Sequence, residues 1–237
     1  MKLEVNQLTK KYGRYKALDD ISFTINNGKV MGLLGPNGSG KTTLIKIIAN
    51  LIKTYRGSVL IDGEAPSPIT KAFVSYLPDR NSLDESMKVQ DAFKIFEDFY
   101  PDYDPVKADS LLEQMEIKPQ QKIGTLSKGM AEKLQLALVL SRNAGLYILD
   151  EPIAGVDLLT RKQILDMIIN NISEDSTMLI TTHLVSDMEK LFDEVIFIDE
   201  GKIITSGNCE ELIEKYHCSI TELYEKIYGG LNHGQID

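Results

Sequence analysis

Residues 35–42 read Gly-Pro-Asn-Gly-Ser-Gly-Lys-Thr, and no other stretch limits the fold of this chain so sharply. The pattern GxxxxGK[ST] holds an anion only where a strand delivers the loop and a helix leaves it. The flanks supply both. Lys29–Leu34 reads as a buried strand, and Thr42–Leu51 has the apolar spacing of a helix. Gly38 and Gly40 let the backbone curl so that successive N–H groups face inward around an anion. The helix beginning near Thr42 adds the positive end of its dipole. Lys41 neutralises charge on β- and γ-phosphates, and Thr42 offers its hydroxyl to Mg²⁺. The candidate nucleotide-binding set is Gly35, Asn37, Gly38, Ser39, Gly40, Lys41, Thr42 and Thr43.

Such a loop needs an acidic partner at another strand end. Leu146-Tyr-Ile-Leu-Asp150-Glu151 supplies it, because its apolar run predicts a buried strand whose carboxyl end is where α/β sheets place ligands. Asp150 would hold Mg²⁺ through a water molecule, and Glu151 would polarise the attacking water.

Elsewhere strands and helices alternate, which predicts a largely parallel sheet covered on both faces. Strands are expected over Lys2–Leu8, Ile21–Ile25, Gly57–Ile61, Ala72–Leu77, Met178–Thr182, Glu194–Asp199 and Lys202–Ser206. Helices are expected from Val89 and over Val106–Glu116, Gly129–Arg142, Leu158–Asn171 and Leu184–Leu191, with a mostly helical tail from Asn208. The N-terminal strands read as an antiparallel sheet added to the core, and the stretch between Val89 and Arg142 as an inserted helical subdomain. Val89, Ala92, Phe93, Phe96 and Phe99 form one stripe within it.

Charge and composition exclude several classes. With 26 Lys and Arg against 35 Asp and Glu, the net charge of −9 argues against nucleic acid as a partner. No apolar run approaches the ~18 residues of a membrane span. The start, MKLEVNQLTKKYG, lacks a signal peptide's apolar stretch, so a cytosolic chain is expected without direct membrane insertion. Cys209 and Cys218 form no metal pair and read as incidental thiols.

The order of motifs resembles the ATP-binding cassette (ABC) ATPases, in particular the nucleotide-binding subunits of ABC transporters of the bacterial exporter type. The resemblance spans roughly residues 1–215. Tyr12, 23 residues before Gly35, matches the aromatic that stacks on adenine. Leu126-Ser-Lys-Gly-Met130 stands where the family has LSGGQ, Ala154-Gly-Val-Asp157 resembles its D-loop, and Thr181-Thr182-His183 resembles its switch-histidine segment.

This likeness implies an α/β P-loop NTPase with a RecA-like, mostly parallel core, an N-terminal antiparallel β subdomain and an inserted helical subdomain. The implied boundaries are 1–215 for the ATPase domain, about 80–142 for the insertion, and 216–237 for a short helical tail. It implies ATP and Mg²⁺ as ligands, with Glu151, His183 and Lys41 as catalytic residues and Thr42, Asp79 and Asp150 around the metal. Ser127 and Gly129 would face nucleotide on a second subunit, in a homodimer or heterodimer, with Asp157 at the seam. The implied partner is a separate transmembrane permease, which would hold the chain at the inner face of the cell membrane. His217 and His233 read as surface residues.

Three departures stand out. Lys128 replaces a family Gly, either strengthening anion binding or pointing to solvent, and Met130 replaces Gln. Asp79 stands at the Gln position of Val74-Ser-Tyr-Leu-Pro-Asp79, adding negative charge near Asp150 and Glu151. Ala154-Gly155 replaces the commoner Ser-Ala pair. The alternative function is a soluble ABC ATPase outside transport, such as an iron–sulfur assembly scaffold ATPase. A nucleotide-gated module without turnover is a third reading, and Glu151 argues against it. The Phe93–Phe99 stripe lies where the family's permease-docking groove would form. Ordinary packing is the simpler account of Phe93 and Phe96.

Overall fold

Two sheets carry the chain. The computed structural model describes residues 1–80, 82–173 and 175–229, so His233 and the end of the expected tail lie outside the described residues. The first sheet is antiparallel, with β1 (Leu3–Tyr12) between β2 (Tyr15–Ile25) and β4 (Arg56–Ile61). Leu3, Val5, Leu8, Ile21 and Ile25 bury one face of it against Leu44, Ile45 and Ile48. The hairpin is longer than alternation predicts, and bulges are the reason. Register shifts after Val5 and Leu8, with left-handed backbone at Gln7 and Asp20, switch the inward parity from odd to even positions along β1. A period-two reading therefore stops where the bulge begins.

The second sheet has the order β5-β6-β7-β3-β8-β9. Its strands are β3 (Val30–Leu34), β5 (Val74–Leu77), β6 (Leu146–Asp150), β7 (Thr177–Thr182), β8 (Glu194–Asp199) and β9 (Lys202–Asn208). All pairings are parallel except β8 with β9, which turn back on each other through Glu200 and Gly201. β6 and β7 are buried at every position, so they read as continuous apolar runs or as runs ending in Thr. In register, Leu34 lies beside Thr182 and Phe197, Asp150 beside Thr181, and Leu77 beside Leu149. Five carboxyl ends thus share one edge.

Helices cover the sheet. α1 (Lys41–Ile48) follows β3; α2 (Val89–Phe99), α3 (Pro105–Gln114) and α4 (Lys128–Leu140) lie between β5 and β6. α5 (Leu158–Asn171), α6 (Val185–Met188), α7 (Cys209–Tyr216) and α8 (Ile220–Tyr228) complete them. The helix expected over Leu184–Leu191 is one α-turn followed by a 3-10 turn, Glu189–Leu191. The chain tightens there so that the Phe192 ring can fill the space above Gly32 before β8 begins. α4 ends before Arg142, and α7 runs through position 215. The inserted helices have no separate core. One apolar cluster joins Val89, Phe93 and Leu111 to Leu149, Phe197 and Leu223. The α2 stripe turns outward along its length, with Phe93 buried and Phe99 76% exposed.

Arg142 fixes the insertion to the sheet. Its buried guanidinium donates to both Asp102 carboxylate oxygens (2.8 and 2.9 Å) and to the carbonyls of Val74 and Ala72 (2.8 Å each), and lies 3.8 Å over the Tyr100 ring. Removing one partner of a buried ion pair strands the other. Arg142→Met is expected to lower unfolding free energy by about 3 kcal/mol, read from urea denaturation.

Candidate active site

The loop leaving β3 is shaped by close contacts as much as by flexibility. A Cβ on Gly35 would meet the Ile198 carbonyl at 2.3 Å, so only glycine fits against the end of β8. Gly40 combines a φ of +112° with the Ala17 carbonyl 2.5 Å from its Cβ position. Gly38, at φ +87°, has open space around it, so its requirement is conformational alone. The loop is held from outside by Gly201 N–H, which donates to the Ser39 carbonyl at 2.9 Å. The Ser39 hydroxyl is buried without a hydrogen-bond partner. Lys41 opens α1, and its ammonium donates to the carbonyls of Gly35 (2.6 Å) and Pro36 (3.1 Å). Burial lowers the Lys41 pKa, while Glu151 and Asp150 pull it back up.

Across from it, one buried hydroxyl sets two acids. Thr181 Oγ1 donates to Asp150 Oδ1 (2.6 Å) and accepts from Glu151 N–H (2.9 Å). Glu151 has left-handed backbone (φ 54°), which sends its side chain away from that of Asp150. Glu151 Oε1 lies 3.7 Å from Lys41 Nζ, and Oε2 lies 2.9 Å from His183 Nδ1 and 3.3 Å from the donating His183 N–H. Burial raises the Asp150 pKa; the Thr181 bond opposes this, and the charges of Asp79 and Glu151 add to it. Asp150 Oδ2 is buried with no hydrogen-bond partner.

Lys41 and Glu151 line a cleft of about 290 Å³, while Gly35, Ser39, Asp150, Thr181 and His183 stand behind or beside that lining. The structure brings Tyr12, Asn37, Gly38, Gly40, Lys41, Thr42, Thr43, Asp79 and Glu151 to its walls. Asp79, exposed, follows β5. Tyr15 lines the cleft too, its hydroxyl donating to the Gly38 carbonyl at 3.3 Å. Sequence reading passed over Tyr15. The signal was its place opposite Tyr12 across the hairpin turn, which bulges upstream obscured. Thr181, read only as part of a motif, had no separate sequence signal for its bond to Asp150.

Ser127, Gly129 and Asp157 are not among the residues lining the cleft. Ser127 caps α4, accepting from Met130 N–H at 3.3 Å. Asp157 caps α5, its carboxylate accepting from Thr160 N–H (3.0 Å) and Thr160 Oγ1 (2.7 Å), which holds its pKa down. Gly129 packs on Thr160. Lys128 is exposed, as one of its two readings expects, and it also makes a contact that neither reading named. Its ammonium donates to the Gly155 carbonyl at 2.7 Å, tying the α4 start to the loop before α5. Gly155 has φ +71°, and a Cβ there would meet Lys128 Nζ at 2.8 Å. The two sequence departures are therefore in contact.

The residues present fit a magnesium ion. Among the described residues no cluster of three His, Cys, Asp or Glu forms a protein cage. Mg²⁺ is ordinarily held by one or two carboxylates together with substrate phosphates. The unpartnered Asp150 Oδ2 and the Thr42 hydroxyl supply that kind of donor set, with Asp79 at the cleft wall.

The family model described as ABC transporter matches residues 18–154. The ABC transporter ATP-binding protein YtrB of Bacillus subtilis is 32% identical over 217 residues, covering 90% of this chain and 74% of YtrB. The Nod factor export ATP-binding protein I of Burkholderia lata is 31% identical, covering 94% of this chain and 76% of that protein. Among solved structures, an ATP-binding subunit of an ABC transporter superposes with a TM-score of 0.86 at 24% identity, covering 96% and 99% of the two chains. The ADP conformation of the cassette MJ1267 gives a TM-score of 0.75 at 26% identity, covering 97% and 99%.

Gly40 offers a direct test of the loop geometry. Gly40→Ala is expected to weaken ATP binding about tenfold or more, because it adds both backbone strain and a clash. Titration of the purified chain with ATP checks this.

Proposed function

The chain belongs to the ABC transporter family, whose members bind and hydrolyse ATP, and we propose that it does so in the cleft between Lys41 and His183. It is an ATP-binding subunit of ABC transporter type. One observation carries the assignment of residues: the Glu151 carboxylate is held between Lys41 Nζ at 3.7 Å and His183 Nδ1 at 2.9 Å. In this reading Lys41 exchanges its loop carbonyls for the β- and γ-phosphates, and the N–H groups of residues 35–43 cradle them. Tyr12 and Tyr15 flank the base. Mg²⁺, held by Thr42 and Asp150 with Asp79 nearby, supplies charge neutralisation at the phosphates when bound.

Glu151 orients a water molecule and takes its proton as the water oxygen bonds to the γ-phosphorus. The bond from that phosphorus to the bridging oxygen breaks, and ADP leaves with the electron pair. His183 steadies both Glu151 and the transferred phosphoryl group. Thr181 keeps Glu151 and Asp150 pointing to their separate tasks.

We assign Ser127, Gly129 and Asp157 a role toward nucleotide on a second cassette, Ser127 and Asp157 capping the starts of α4 and α5, where helix N–H groups suit an anion. That cassette would be a second copy of this chain or a related one, paired head to tail. No helix among the described residues is long and apolar enough to cross a membrane. We assign membrane attachment to contact with a separate transmembrane permease at the inner face of the cell membrane. The groove formed by Lys71, Ile95, Phe96, Phe99 and Tyr100 is the proposed docking surface. The names of YtrB and the Nod factor export protein favour transport over a soluble scaffold ATPase, and the latter name favours export.

Glu151→Gln keeps the size and polarity of the side chain while removing its basicity. Turnover is expected to fall about a hundredfold or more with ATP binding retained, and the variant should elute as an ATP-bound dimer on sizing. Wild-type turnover in this variant would remove Glu151 from the general-base role. Pull-down from detergent-solubilised membranes is expected to recover a polytopic membrane protein. Recovery of soluble assembly factors alone would return the function to the alternative.

A further inference from the structure

The last helix among the described residues ends beneath the phosphate loop. α8 begins with a reciprocal cap, Glu222 N–H donating to Ser219 Oγ (3.1 Å) and Ser219 N–H to Glu222 Oε2 (2.8 Å). Thr221 then ties it to the core, its N–H and hydroxyl both donating to Glu189 Oε2 (3.0 and 2.7 Å). Glu189 directly follows α6, the turn reached from His183. At the other end, the Tyr228 hydroxyl lies 3.0 Å from the Ile198 carbonyl oxygen and 3.3 Å from that of Leu34.

Those two carbonyls are the root of the loop. Leu34 is the residue before Gly35, and the Ile198 oxygen is the atom that leaves Gly35 no room for a Cβ. Sheet pairing holds Leu34 between Thr182 and Phe197, but the next two residues add little, because Gly35 has no side chain and Pro36 no N–H. Lys41 bonds the carbonyls of Gly35 and Pro36 only until it turns to a phosphate. The Tyr228 bonds do not involve Lys41 and so do not have to break for that exchange. The Tyr228 ring is itself fixed, 4.7 Å from the Tyr224 ring centroid and 6.4 Å from that of Phe197. Burial, reinforced by Asp199, raises its phenol pKa, so the hydroxyl stays a donor. Tyr224 beside it is also raised, by burial and by the charge of Glu151.

We propose that Tyr228 is a positioning residue of the nucleotide site, its hydroxyl fixing the strand-end carbonyls of Leu34 and Ile198 from which the phosphate loop departs. α8 then backs the loop root from outside the cleft lining, and the angle at which the loop leaves β3 depends on it. This rests on reading residues 35–43 as the phosphate loop.

Two substitutions separate hydroxyl from ring. Tyr228→Phe keeps the packing and removes the donor; Tyr228→Leu removes both. Each purified full-length variant is titrated with ATP and Mg²⁺ by calorimetry and melted without nucleotide. ATP affinity is expected to fall about three- to tenfold in both variants alike, the scale of one hydrogen bond. The melting midpoint should fall much further for Leu than for Phe. Affinity would then follow the hydroxyl and stability the ring. Wild-type affinity in Tyr228→Phe, with a loss only in Tyr228→Leu, would reduce Tyr228 to packing and overturn the proposal. Affinity losses that track the melting midpoint across the pair would overturn it as well. Lys41→Ala, run alongside, tests the underlying reading: undiminished ATP binding there would displace the phosphate loop itself, whereas lost binding leaves the Tyr228 result to stand alone.

Discussion

Parallel pairing in register across β5, β6, β7, β3 and β8 is the constraint on which the rest of this molecule depends. Because neighbouring strands run the same way, each delivers its last residue to the same edge. Groups far apart in sequence, Gly35, Asp79, Asp150, His183 and Ile198, meet there without any loop having to reach. A one-residue slip between β6 and β7 would separate Thr181 from Asp150, and with it the bond that turns the two adjacent acids in different directions. The burial of β6 and β7 at every position forbids that slip, since polar Asp150 and Thr181 would lose each other inside an apolar core. Core packing and site chemistry are fixed by the same register.

The same edge concentrates charge that the fold alone does not balance. Lys41 stands among Glu151, Asp150 and Asp79, and satisfies itself on loop carbonyls that any donor could occupy. Asp150 Oδ2 and Ser39 Oγ have no protein partner although both are buried. Buried polar atoms left unmatched are costly, and a structure tolerates them where a ligand completes them. A phosphate anion with a divalent cation matches this inventory: it takes the ammonium, faces the backbone N–H groups and completes the acid.

Much of this was legible from the residues. The GPNGSGKT stretch and the Leu146–Asp150 run declared themselves because their chemistry and their secondary structure come from one contiguous segment. What escaped was parity or distance. The outer half of the β1–β2 hairpin, and Tyr15 with it, was hidden because bulges at Gln7 and Asp20 break the alternation that marks a strand. The bonds of Thr181, Tyr228 and Arg142 join segments far apart in sequence, and no local pattern encodes such pairs. Lys128 could be seen to depart from the family but not to touch Gly155, because the contact depends on how α4 and α5 cross. Residue identity reveals chemistry; register and packing decide which chemistries meet.

α4 shows how such long-range contacts turn separate segments into one body. It is thirteen residues long, a rod of about 20 Å. At its start, Lys128 grips the Gly155 carbonyl and Gly129 packs on Thr160, so the signature-like turn and the loop before α5 cannot move independently. Beyond its end, Arg142 holds Asp102 and the carbonyls that lead into β5, beneath the Tyr100 ring. Tyr100 in turn lines the groove with Ile95 and Phe99, and β5 leads to Asp79 at the cleft. Buried Leu134, Leu136 and Leu138 lock the middle of the rod into the common core, which leaves it little freedom to bend. A force on the groove therefore meets a stiff element pinned by charge at both ends. Gly155, left-handed and gripped by Lys128, is tied to the start of this rod, so the two departures from the family pattern act as one contact.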